Sequence, residues 1–310
     1  MSIFDRPLRA GILAAADNGF VRRTVTRYGM RLGAARFVAG ETAAQFLAAA
    51  RAANAQGFAV AATILGESVR DCNEALSVTD EYCRLLQAFA AEQLDANVAF
   101  KLTHVGLDID SDLAFENASR IAQAAGERGN SVRMDMEQSR YVDRTLEIYR
   151  RLRERYENVG FVLQSYLYRS QTDLAALLPL KPNVRIVKGA YLEPSDVAHP
   201  HKRDVDANYL ELVEAAFAQG GYTAIATHDA RIIDRVVQLA LEHEFPKRGR
   251  FEFQMLYGIA GPLSRRVLEQ GYRVRLSIPF GDYWFPYLMR RIAERPANLA
   301  FFIKGAFAKR

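Results

Sequence analysis

Tyr287, Arg290, Arg291 and Glu294 stand at positions i, i+3, i+4 and i+7 of the stretch Trp284-Phe285-Pro286-Tyr287-Leu288-Met289-Arg290-Arg291-Ile292-Ala293-Glu294, which reads as a short helix. At about 100° per residue the four share roughly 100° of arc and form one face. Two adjacent guanidiniums beside a carboxylate and a phenol suit the capture of a small planar anion, because the guanidinium fork donates paired hydrogen bonds to a carboxylate. The same spacing also describes an exposed, salt-bridged helix surface. The two readings differ in whether other polar groups converge on that face.

Such groups recur at the ends of apolar runs: Lys101-Leu102-Thr103-His104, Asp135-Met136-Glu137, Gln164-Ser165-Tyr166, Arg185 to Tyr191 with Lys188 and Gly189 between them, Thr227-His228-Asp229, and Glu252-Phe253-Gln254-Met255. Each admits a purely structural account. Lys101 and Asp135 would satisfy one another as an ion pair, His228 suits a hydrogen-bonded rim position, Gly189 a strand-end turn, and Tyr166 and Tyr168 packing. The histidines at 104, 199, 201, 228 and 243 do not cluster as metal ligands, so no metal is expected. No Gly-x-Ser-x-Gly elbow supports a serine nucleophile.

Eight runs rich in β-branched residues, at 58–64, 97–103, 131–136, 160–165, 184–190, 222–227, 251–256 and 273–278, alternate with helix-period segments at 68–94, 112–127, 141–156, 206–218 and 230–243. Strand–helix units of about 30 residues predict an α/β fold, a distorted TIM-type (βα)8 barrel. An open doubly wound sheet would carry a GxGxxG turn after its first strand, and none is present. Residues 1–57, rich in alanine and helical in pattern, are expected to pack on a barrel spanning 58–310. In such a barrel chemistry gathers at the C-terminal strand ends, where the polar residues above fall.

Composition is that of an ordinary globular chain: half the residues apolar, a quarter charged, and a net charge of +5 spread along 310 residues. No basic stripe marks a nucleic-acid groove. Cys72 and Cys83 lack ligand or disulfide-framework spacing, which suits a reducing compartment. The N-terminus lacks an apolar signal core and no long apolar run is present, so a cytoplasmic location is expected.

Taken together these strings resemble the proline dehydrogenase family, flavin enzymes on a distorted (βα)8 barrel. The resemblance rests on Phe100-Lys101-Leu102-Thr103, Met134-Asp135-Met136-Glu137, Leu163-Gln164-Ser165-Tyr166-Leu167-Tyr168, and the run Val184-Arg185-Ile186-Val187-Lys188-Gly189-Ala190-Tyr191-Leu192-Glu193. Ala226-Thr227-His228-Asp229, Phe251-Glu252-Phe253-Gln254-Met255-Leu256-Tyr257-Gly258 and Tyr287-x-x-Arg290-Arg291-x-x-Glu294 complete it. The length is similar to that of the short, monofunctional bacterial form, without an aldehyde dehydrogenase module.

The resemblance implies FAD. Arg185 and Gln164 would address the isoalloxazine edge, with the backbone of Val187, Gly189 and Ala190 beside it, and Gly189 would permit close backbone approach. Lys202 would lie near the pyrophosphate, and Thr227, His228 and Gln254 along the rest of the dinucleotide. Arg290 and Arg291, assisted by Lys101, would clamp the substrate carboxylate, with Glu294 and Asp135 holding those cations. Tyr191, Tyr287, Ile186 and Leu256 would wall the substrate ring. The implied reaction is hydride transfer from C5 of an imino acid to flavin N5, giving a cyclic imine, with electrons passed on to a membrane quinone through transient membrane contact. Three cations nearby would favour the substrate amine unprotonated.

One position departs from the pattern. Two residues before Pro279, where proline-oxidising members carry tyrosine, the chain has Ser277. The smaller side chain leaves room for an oxygen at substrate C4, as in members that accept 4-hydroxyproline. Two other function classes compete on the residues alone: a Schiff-base lyase using Lys101 or Lys188, and a non-catalytic flavoprotein.

Overall fold

All eight apolar runs are strands. The structure, a computed structural model describing residues 34–218 and 220–294 with side chains through Arg291, closes them into one barrel. Strands β1 (Ala59–Ile64), β2 (Ala96–Lys101), β3 (Val132–Asp135), β4 (Val159–Gln164), β5 (Asn183–Val187), β6 (Tyr222–Ala226), β7 (Phe251–Leu256) and β8 (Val274–Phe280) follow in chain order. Each is parallel to its neighbour, and β8 closes on β1 with Ala61 beside Ser277.

Helix α1 (Ala43–Asn54) precedes the barrel; α2 (Cys72–Ala91), α3 (Ser111–Gly126), α4 (Val142–Arg153), α5 (Ser170–Leu177), α6 (Lys202–Ala218), α7 (Ala230–Glu242), α8 (Gly261–Glu269) and α9 (Trp284–Glu294) each follow a strand. Residues 1–33 of the expected N-terminal segment lie outside the described residues. Helices α5 and α8, only eight and nine residues long, were not among the expected segments. The helix expected over 68–94 starts later. Ser68 takes a left-handed φ of 57°, and the Asp71 side chain accepts from the Glu74 N–H, capping the first turn. The strand expected over 184–190 stops at Val187, because Gly189 turns the chain at φ 112°.

Strand alternation divides the side chains between two cores. Outward-facing residues such as Val98, Ile186 and Phe253 pack under the helices in the main apolar core. The barrel interior is unusually polar, holding Arg133, Arg185, Glu252, Gln254 and Arg275, all buried. Their partners explain how they are accommodated: Arg133 alone donates to Phe161 O, Asn183 O and Asn183 Oδ1.

A second, smaller apolar cluster seats α9. Trp284, Phe285, Leu288 and Met289 pack with Phe37, Val38 and Leu65, and the Trp284 indole N–H donates to Glu41 at 2.9 Å. On a helical wheel these four residues centre about 140° from Tyr287, Arg290, Arg291 and Glu294. Docking the apolar side therefore turns Arg290 and Arg291 away from the seat, while Tyr287 packs at its edge.

Candidate active site

The C-terminal strand ends and the loops after them form one mouth. Lys101, the last residue of β2, and Asp135, the last of β3, are register partners. They nevertheless do not pair with each other or serve the same group. Arg185 reaches across from β5 and donates from Nη1 to Asp135 at 2.6 Å, while Lys101 pairs with Glu67 in the loop after β1. The expectation that Asp135 supports the carboxylate-binding cations is thus corrected: it holds Arg185. Glu67 takes the supporting role, accepting from Lys101 and from Arg290 Nη1, the latter at 2.9 Å. Burial alone would raise the Glu67 carboxyl, but Lys101 and Arg290 outweigh it and hold the group at about 2.

Glu67 is a functional residue absent from the strand-end groups named above, although Gly66-Glu67-Ser68, just past the first strand, stands where the barrel rule points. Around it the loop is tied down. Ser68 N donates to Thr103 Oγ1 and Val69 N to Thr103 O, and Thr103 is bonded through both N and Oγ1 to the buried Glu137. Burial pushes the Glu137 carboxyl up.

On α9, Arg291 stacks on the Tyr287 ring with its guanidinium carbon 5.2 Å from the centroid. The Glu294 side chain lies outside the described residues. Tyr191 falls in the loop after β5; burial, followed by the nearby charges of Glu137 and Glu67, raises its hydroxyl, while Arg290 opposes them. Its hydroxyl thus feels the charges of the same cluster. Ile186 does not join it. Fully buried, it alternates with the inward Arg185 and Val187 and belongs to the core under the helices, so it cannot wall a pocket at the mouth. Leu256, at the end of β7, and Ser277, beside it on β8, are both partly exposed.

The side of the mouth between β4 and β7 carries the remaining candidates. Gln164 Oε1 is buried without a hydrogen-bond partner among the described residues, and its Nε2 reaches Met136 O at 3.4 Å. Gln254 commits both ends of its amide, Oε1 to Arg185 and Nε2 to Glu252. His228 Nε2 accepts from Leu256 N at 2.9 Å, which ties the ends of β6 and β7, and Thr227 Oγ1 accepts from Asp229 N. Lys202, at the start of α6, pairs with Asp206 and Asp229, and Lys188 with the same two acids. Glycine at 189 is required within the chain itself, at the strand-end turn. A Cβ there would stand 2.3 Å from the Tyr166 ring, on a backbone at φ 112°, so the ring fills the side-chain space. Tyr166 is buried, whereas Tyr168 is half exposed, edge-on to His199.

The proline dehydrogenase family model matches residues 46–304. Proline dehydrogenase of Deinococcus radiodurans is 43% identical over 308 residues, covering 98% of this chain and 99% of that one. Proline dehydrogenase 1 of Bacillus subtilis subsp. natto is 41% identical over 302 residues, covering 97% of this chain and all of the relative. Among solved structures, proline utilization A from Bdellovibrio bacteriovorus superposes with a TM-score of 0.78 at 23% identity, over 91% of this chain and 38% of that larger one. The last likeness bears on fold, and it is the same barrel. With a family match across most of the chain and full-length relatives above 40% identity, the chain belongs to the proline dehydrogenase family.

Proposed function

We propose that this protein is an FAD-dependent dehydrogenase of cyclic imino acids, oxidising L-proline, and 4-hydroxy-L-proline, to the corresponding cyclic imine. The observation that carries the reading is the pairing of Lys101 and Arg290 on the single carboxylate of Glu67 at the barrel mouth, with Arg291 the next residue of α9. Guanidiniums there bind the substrate carboxylate in paired hydrogen bonds, and Lys101 adds a third donor. Glu294 serves as a further support for them. Tyr191, Tyr287 and Leu256 wall the ring and exclude water. The excess of cations over Glu67 disfavours an ammonium, so the substrate nitrogen is held unprotonated.

Bound FAD supplies the hydride acceptor for this oxidation. The chemistry of the residues on the β4–β7 side fits such a group. Gln164 Oε1 is a buried acceptor with no bond of its own, suited to a ring N–H, and Arg185 is a fixed cation suited to a ring that gains negative charge on reduction. Backbone groups of Val187, Gly189 and Ala190 would hold the ring. Lys202, with Thr227 and His228, would hold the phosphates and ribose. Gln254 acts through Arg185. The quinone acceptor and a transient contact with the membrane carrying it follow from the family resemblance, and a cytoplasmic location from the cysteine usage and N-terminal composition; all belong to the same proposal. Among the described residues no helix is long and apolar enough to cross a membrane.

A yellow protein bleached by L-proline under anaerobic conditions is the expected result. A preparation that binds no flavin, or one trapped by borohydride with its substrate, would contradict it and favour the lysine-based lyase. Acceptance of 4-hydroxyproline rests on Ser277, whose partly exposed side chain borders Leu256. Comparable catalytic efficiencies for the two substrates, with Ser277→Tyr shifting the ratio towards proline, are expected; a wild type that turns over proline alone would overturn this part.

A further inference from the structure

A line of buried hydrogen bonds descends from Arg185 along the barrel interior. Arg185 Nε donates to Gln254 Oε1 at 2.6 Å, and Gln254 Nε2 donates to Glu252 Oε1 at 2.5 Å. Glu252 also accepts from Arg275 Nε at 2.8 Å and Arg273 Nε at 3.0 Å. Glu252 is 2% exposed, Gln254 4% and Arg185 8%, so none of these bonds is exchanged freely with water. Burial alone would raise the Glu252 carboxyl, yet Arg275 keeps it ionised, at about 2.

Donor and acceptor types give the line a direction. A carboxylate only accepts, so Gln254 must turn its NH2 to Glu252 and its carbonyl oxygen to Arg185. A reversed amide would set NH2 against the Arg185 N–H and oxygen against the carboxylate, exchanging two hydrogen bonds for two buried repulsions. With Nε held by Gln254 and Nη1 by Asp135, the plane of the Arg185 guanidinium is fixed. Its Nη2 has no protein acceptor among the described residues. Glu252 itself lies two residues along β7 from Gln254 towards the barrel floor, away from the mouth.

We propose that Glu252 is a positioning residue: by imposing one orientation on the Gln254 amide, it holds the Arg185 guanidinium in a fixed attitude towards the flavin ring, with the flavin reading above as premise. A cation held beside a ring that becomes anionic on reduction raises its reduction potential, and a loosened one does so less.

The test uses the full-length, FAD-loaded protein with Glu252→Gln and Gln254→Met. The first keeps the volume but lets residue 252 donate or accept; the second removes the relay and leaves Glu252 with Arg273 and Arg275. Each is expected to move the flavin potential to more negative values by ~30 mV, about tenfold in the reduced-to-oxidised ratio. The double variant should move it no further than Gln254→Met alone. If Glu252 only neutralises Arg273 and Arg275, Glu252→Gln lowers the melting temperature and leaves the potential at the wild-type value, which overturns the assignment. Should Glu252→Gln fail to fold, an unshifted potential in Gln254→Met overturns it equally. A colourless wild type that binds no added FAD sinks the flavin premise instead, and is recognised before any variant is made.

Discussion

At the scale of residues, one carboxylate sets the spacing of two cations. Glu67 accepts from both Lys101 and Arg290, so Glu67→Gln leaves those charges without their shared anchor. The KM for L-proline should rise about tenfold, ~1.4 kcal/mol, with kcat changed less; initial rates across substrate concentration check this, and an unchanged KM would contradict it. Because Glu67 is held at about 2, its charge persists through neutral pH and the effect should not vary between pH 6 and 9. Sequence reading found the cations and missed the anchor. Lysine and arginine stood at strand ends and on a helix face with a period, whereas Glu67 lies three residues past the end of β1, where only the strand-end rule points to it. The Lys101–Asp135 pair was a fair expectation, since the two are register neighbours. It failed because Arg185 crosses the barrel interior to Asp135, a contact between strands two apart in the sheet. Such a reach depends on barrel closure and is invisible in local pattern.

At the scale of elements, α9 presents its arginines only while its other face stays docked. That seat comes from residues 34–40, about 250 positions upstream: Phe37 and Val38 pack on Trp284 and Leu288, and Gly281 N bonds Gly40 O at 3.0 Å. Leu288 is fully buried there. Leu288→Ala should cost roughly 2–5 kcal/mol of local or global stability. Because the loss falls on the docking of the clamp, substrate KM should rise together with a lower melting temperature. A variant with a lowered melting temperature but wild-type KM would show that α9 holds its place without this seat. The helix and its two faces were legible from spacing alone. What the apolar face docks on was not, since no periodicity links residues so far apart in the chain.

At the scale of the whole molecule, the eight strand runs and their spacing made the closed barrel readable, because a parallel strand must be followed by a crossover and the helices supplied it. The polar barrel interior was less so: an arginine inside a strand reads equally well as a solvent-facing position until closure shows which side is inward. Buried titratable groups also shape the response to acid. His104 is 4% exposed, and burial, with Lys101 beside it, lowers it to about 4 from the ordinary 6.5. The folded protein thus keeps it neutral while the unfolded chain takes up a proton near 6.5. This contribution is whole above pH 6.5 and is lost as pH falls towards 4, on the order of 3 kcal/mol. His104→Gln should flatten the fall of the urea midpoint between pH 6.5 and 4, and an unaltered slope would contradict that. The central claim, that the cations at the mouth bind the carboxylate of an imino acid, is tested most directly by comparing L-proline with pyrrolidine, which lacks that carboxylate, in wild type and Arg291→Met. The account predicts a loss of about 100-fold in kcat/KM for L-proline, ~2.7 kcal/mol, and a change within about threefold for pyrrolidine. Equal losses for both substrates would contradict it.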